Sequence, residues 1–210
     1  KDKKIECVLI KSDNKTSLSP LVLLHEGLGS IEMWKDWPTE LALRTKMNLV
    51  LYSRIGMGKS SEEKMKKKSN FLDNEALYYL PKIVSHYCNI SPILLGHSDG
   101  ASIALIYAGN KLPCKGLILE APHVFIEKIT INEIKKIKKI WKINNLKEKF
   151  SKYHNDPEKT FESWCEVWLS EGFSKWNIIN LLGNITCPLL VFQGANDQYG
   201  TLKQIDLIEK

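Results

Sequence analysis

The sequence holds no apolar run long enough to cross a bilayer, no Cys-x-x-Cys pair and no histidine beyond position 154. The first absence excludes a helical membrane protein, which needs about 20 consecutive apolar residues. The opening, KDKKIECVLI, carries lysines but no apolar core or small-residue cleavage site, so it does not read as a signal peptide and a cytoplasmic chain is expected. It also lacks a Met, which places the expected start of translation upstream. The five cysteines (Cys7, Cys88, Cys114, Cys165, Cys187) are odd in number and have no paired spacing, which argues for free thiols and against a disulfide framework or a zinc site. No metal and no cofactor is expected. The run SRIGMGKSS falls one residue short of a P-loop, because Ser53 stands where the first glycine is required and a lysine-rich polar run follows where a helix is required. Finger spacings and RNA-binding signatures are missing too. The net charge of +6, concentrated at Lys64–Lys68 and along residues 135–152, is therefore read as a solvated lysine face. Neither a nucleic acid nor a membrane is expected as partner. The sequence sets no oligomeric state.

What is present suits one domain: 210 residues, 43% hydrophobic and 26% charged. Six short apolar, β-branched runs recur at residues 4–10, 20–26, 48–54, 92–98, 115–121 and 188–194. Most are continuous rather than alternating, as in strands of a parallel sheet buried on both faces. Helical stretches at 31–45, 72–88 and 99–109 lie between them. The expected fold is α/β, a mainly parallel open sheet flanked by helices. The first two strands, separated by SDNKTSLS, are expected to form a hairpin. Residues 123–186 break the alternation, with no convincing strand and four of the six tryptophans. They read as a helical cap inserted into a core made of residues 1–122 and 187–210, or as an insertion with only a structural role. Residues 60–70, SSEEKMKKKSN, read as an exposed low-complexity loop.

The chemistry centres on LLGHSDGASIAL, residues 94–105. An apolar strand, a G-x-S-x-G turn and a small-residue helix follow one another, the context in which a serine is exposed as a nucleophile on a strained turn. Ser98 is that nucleophile, and the N–H of Asp99 is one oxyanion donor. The loop LLHEGLGS, residues 23–30, is placed to give the second donor from Gly27, with Leu28 next. Asp197, just past the last apolar run, is the candidate acid that orients the base; Glu120 is a weaker candidate, and a turn aspartate is the plain alternative. His25, Leu28, Trp34, His123, Trp164 and Trp168 are the expected substrate-pocket residues. The base itself is missing from the usual order. None of the five histidines (His25, His86, His97, His123, His154) follows Asp197. His123, at a strand end, is the one internal substitute. The expectation is that the catalytic histidine lies beyond residue 210, with a further strand and helix.

These stretches resemble the α/β-hydrolase superfamily, and more narrowly a group of small bacterial α/β-fold hydrolases. The resemblance rests on HEGLGS at 25–30 with Trp34, YSRIGMGKS at 52–60, GHSDGAS at 96–102, LEAPHVF at 119–125 and QGANDQYG at 193–200. It runs in order along nearly the whole chain. It implies a serine hydrolase acting on a small acyl substrate (an ester, thioester or lactone, or a C–C bond), with Ser98 as nucleophile, Asp197 as acid and a histidine past the last residue. The chain departs from the pattern in lacking that histidine and its strand, which leaves a non-catalytic ligand-binding member of the fold as the alternative.

Overall fold

The computed structural model describes residues 3–12, 17–62, 68–141 and 146–210. Most of the lysine run at 64–68, the centre of the 60–70 loop and part of the 12–19 connection lie outside the described residues. Six strands form one sheet: β1 Cys7–Ile10, β2 Leu21–Leu24, β3 Leu49–Tyr52, β4 Ile93–His97, β5 Gly116–Glu120 and β6 Leu189–Phe192. Their spatial order is β1-β3-β2-β4-β5-β6. Only the β1–β3 pair is antiparallel; β3, β2, β4, β5 and β6 run parallel. The expected β1–β2 hairpin is not formed, because β3 lies between them. The burial pattern gives the reason. All four residues of LVLL in β2 are buried, so that strand occupies an interior position with a partner on each side, whereas β1 is half-exposed and takes the edge.

Helices α1 Trp37–Thr45, α2 Phe71–Asn74, α3 Leu80–Tyr87 and α4 Asp99–Gly109 connect the first five strands. The stretch at 31–45 is broken: a 3₁₀ turn at Ile31–Trp34 ends at Lys35, whose φ of 53° is incompatible with a continuing helix, and α1 starts afresh with Pro38 in its first turn. A π-helical turn, Glu75–Tyr79, joins α2 to α3 and turns the buried Glu75 inward, where it accepts from the Tyr52 hydroxyl at 2.9 Å. Helix α4 is buried along its whole length, consistent with its run of small and aliphatic residues. Two apolar layers result. Leu21, Leu23, Leu49 and Leu51 face α1, while Val22, Leu24, Val50 and Leu94 face α3 and α4, the alternation a strand imposes.

Between β5 and β6 come helices α5 Lys128–Ile140, α6 Leu146–Ser151, α7 Pro157–Trp168, α8 Glu171–Ser174 and α9 Ile179–Leu182. No strand interrupts them among the described residues; one bridge joins Phe125 to Asn177. Their core is aromatic, with Trp141 stacked on Phe161 at 3.8 Å and Trp168 edge-on to Phe173 at 4.9 Å. Helix α10, Lys203–Glu209, follows β6. All five cysteines are free. The fold brings two of them together, Cys114 and Cys187, with sulfurs 3.6 Å apart at the starts of β5 and β6; burial pushes the Cys114 thiol up to about 12.

Candidate active site

Five parallel strands deliver the singled-out residues, and Arg54 with them, to one edge of the sheet. His25–Gly29 follow β2, Arg54 follows β3, Ser98 follows β4, His123 follows β5 and Asp197 follows β6. The carboxyl edge of such a sheet is where ligands bind in open α/β folds.

Ser98 ends β4 and caps α4 with φ 53° and ψ −116°. Positive φ costs a non-glycine residue about 1–3 kcal/mol and persists only where the surroundings over-determine it. They do so here. The Ser98 N–H donates to the Glu120 carbonyl of β5 at 2.8 Å, and its own carbonyl accepts the Ser102 N–H at 3.0 Å. The flanking glycines are required by close approach: a Cβ on Gly96 would strike the Gly100 backbone, and one on Gly100 would strike the Leu24 carbonyl. Strand, turn and helix can therefore pack this tightly only with glycine at both positions. The serine stands at the N-terminus of an eleven-residue helix, whose free N–H groups and dipole favour negative charge.

The loop after β2 is fixed from several sides. Gly29 N–H closes a turn on the Glu26 carbonyl at 3.0 Å. His25 is buried, with Nδ1 2.8 Å from that same carbonyl and Nε2 accepting the Arg54 N–H at 3.0 Å. The second bond requires the proton on Nδ1, so His25 is neutral and occupied. From the insertion, His154 lies 2.9 Å from the Leu28 carbonyl through Nε2 and accepts the Gly58 N–H on Nδ1 at 3.0 Å. Thr160 donates to the Gly56 carbonyl at 2.8 Å, and the Trp164 indole lies so close to Gly27 that a Cβ there would overlap its Nε1. The inserted helices thus rest on the loops after β2 and β3. Among the described residues, no protein acceptor takes the N–H of Gly27, Leu28 or Asp99, the condition for donors that await a ligand oxygen.

Asp197 is half-buried and held in its turn. Its Oδ1 accepts the Tyr199 N–H at 2.7 Å and its Oδ2 accepts from Gln193 Nε2 at 2.9 Å. Thr130 of α5 donates to the Tyr199 carbonyl, which anchors the turn to the insertion. His123 lies next to this turn, with its Cε1 3.4 Å from where a Cβ of Gly200 would sit. Its ring is buried edge-on to Trp168 at 5.3 Å, and its Nδ1 has no hydrogen-bond partner. The Ser102 hydroxyl bridges its backbone N–H and carbonyl, at 3.1 and 2.7 Å. Burial lowers the His123 pKa against the opposing pull of Asp99, Asp197 and Glu127, so this imidazole is neutral. Among the described residues no imidazole bonds the Ser98 hydroxyl. His97 is half-exposed, with Nδ1 4.0 Å from a Glu26 carboxylate oxygen.

Leu28, Trp164 and Trp168 belong to the apolar cluster shared by α4 and the insertion. The structure does not bring Trp34 to them: it stacks on Trp37 at 5.5 Å and packs with the α1-side layer. Lys59, the lysine of the near P-loop, is exposed and paired with Glu32 at 2.6 Å. Sequence reasoning passed over Arg54 and Asp99 as a pair. They form a buried ion pair, Nη1 to Oδ2 at 3.2 Å, in which Asp99 directly follows Ser98. An arginine two residues past a buried strand was the available signal, because such a side chain is buried only with a partner.

Residues 19–155 match the family model of the alpha/beta hydrolase fold, and the chain belongs to that family. A proline iminopeptidase from Lactiplantibacillus plantarum is 32% identical over 119 residues, which cover 52% of this chain and 38% of that protein. The alignment thus reaches well under half of that relative's length. Among solved structures, the α/β hydrolase MGS-M2 from a deep-sea metagenome of the Medee basin superposes with a TM-score of 0.74 at 16% identity, over 99% of this chain and 82% of that one. The esterase EaEST from Exiguobacterium antarcticum superposes at 0.71 with 19% identity, over 98% and 82%. At these identities the likeness shows the fold.

Proposed function

We propose that this chain is the core of a serine hydrolase that cleaves a carboxylic ester, thioester or lactone of a small acyl compound. The observation that carries the reading is Ser98 itself, held at positive φ between two obligatory glycines at the head of a buried helix. The Ser98 hydroxyl attacks the carbonyl carbon while a base takes its proton. The N–H groups of Asp99 and Gly27 receive the oxyanion. The base then protonates the leaving alcohol or thiol, and water, deprotonated by the same base, releases the acid and restores Ser98. Asp197 orients the base. The base is a histidine carried on a segment that packs against β6. Leu189, Leu190 and Phe192 of that strand are 38%, 52% and 53% exposed, an apolar surface on a sheet edge that a folded protein covers. The insertion acts as a cap, and Leu28, His123, Trp164 and Trp168 line the acyl pocket beneath it. The chemistry calls for no cofactor, and a cytoplasmic setting suits the free thiols.

A second reading has its own observation. No imidazole among the described residues bonds Ser98, and this favours a ligand-binding module built on the same fold. One comparison separates the two. The full-length protein hydrolyses p-nitrophenyl esters of short acids, and Ser98→Ala lowers kcat by about 10⁴-fold or more. Turnover that survives Ser98→Ala removes the nucleophile from the account; absence of turnover together with saturable binding of acyl compounds favours the binding module.

A further inference from the structure

The carbonyl of Glu26 and the N–H of Gly27 are the two sides of one peptide unit. In a trans peptide they point in opposite directions, and the described chain has no cis bond. Whatever grips the Glu26 oxygen therefore aims the Gly27 N–H. That oxygen is gripped three times: by the Gly29 N–H at 3.0 Å, by His25 Nδ1 at 2.8 Å and by Arg54 Nη2 at 2.6 Å. The other arm of the same guanidinium reaches Asp99 Oδ2 at 3.2 Å. Arg54 and Asp99 are 4% and 1% exposed.

We infer that Arg54 is the positioning residue of the oxyanion hole. Its planar fork ties the peptide that bears one donor, Gly27 N–H, to the residue that bears the other, Asp99 N–H, and so fixes the gap between them. The Asp99 carboxylate is buried with the fork and pairs with it. His25 completes the clamp, since it bonds the Glu26 carbonyl and the Arg54 N–H at once. This inference rests on Ser98 being the nucleophile.

The test uses the full-length protein and p-nitrophenyl esters. Arg54→Met lowers kcat about 10²-fold, the size of effect seen when one oxyanion donor is lost, while KM stays within about threefold. It also lowers the melting temperature, because Asp99 is left buried and unpaired. The double variant Arg54→Met/Asp99→Asn removes both charges: its melting temperature recovers, and its kcat stays low. Arg54→Lys keeps the charge but not the fork, so it remains folded and loses about tenfold in kcat. A double variant that regains kcat along with its melting temperature makes Arg54 a structural residue only and overturns the inference. So does a loss confined to KM. A wild-type protein that hydrolyses none of these esters fails the reading of Ser98 itself and takes the role of Arg54 with it.

Discussion

Gly100 sits where α4 crosses the end of β2, and the space its hydrogen occupies belongs, for any larger residue, to the Leu24 carbonyl. Gly100→Ala must push helix and strand apart. A destabilisation of about 1–3 kcal/mol is expected, read as a lower denaturation midpoint, with Ser98 reactivity falling alongside. His123 gives a prediction of another kind. Its folded pKa is lowered, first by burial, below the ordinary value of about 6.5. The unfolded chain thus takes up the proton before the folded one does. The stability tied to a neutral His123 is complete above about pH 6.5 and is lost as pH falls toward the lower folded value. Between about pH 7.5 and 5.5 the melting temperature of the wild type should drop further than that of His123→Leu. Equal slopes would mean that His123 titrates in the fold as it does in water.

At the scale of elements, the strands were legible because buried parallel strands write themselves as unbroken apolar runs, as PLVLLHE and KGLILEA do. The turn at Ser98 was legible because Gly96 and Gly100 answer to steric demands that no other residue meets. What the sequence did not disclose were pairings over distance. SDNKTSLS suggested a hairpin, yet a short connection does not decide which strand fills the place beside β2; the full burial of LVLL does. Trp34 looked like a pocket residue by its nearness to HEGLGS, but the break at Lys35 turns it onto Trp37. Arg54 and Asp99, 45 residues apart, meet only because β3 and β4 flank β2. Strand β6 carries the test of the sheet's extent. If a further segment covers it in the full-length protein, Phe192→Ala costs about 3–5 kcal/mol, as for a core aromatic. If Phe192 stays in solvent, the change lies within about 0.5 kcal/mol.

Across the whole molecule, the sheet, the buried α4 and the inserted helices converge on one edge, and their contacts are mutual. The insertion touches the loops after β2 and β3 through His154, Thr160 and Trp164, and holds the Asp197 turn through Thr130. Arg54 and His25 then lock the Gly27 peptide beside Ser98. On the proposed reading, such an arrangement sets its donors before substrate arrives, which is the condition under which hydrogen bonds lower a barrier without reorganising. Among the described residues no helix is long and apolar enough to cross a membrane. The central claim is that Ser98 is the nucleophile, and the most direct measurement is to treat the full-length protein with a fluorophosphonate, digest it and map the adduct by mass spectrometry. The account predicts a single phosphonylated peptide carrying Ser98, lost in Ser98→Ala. An adduct on another serine, or labelling that persists in Ser98→Ala, would contradict it.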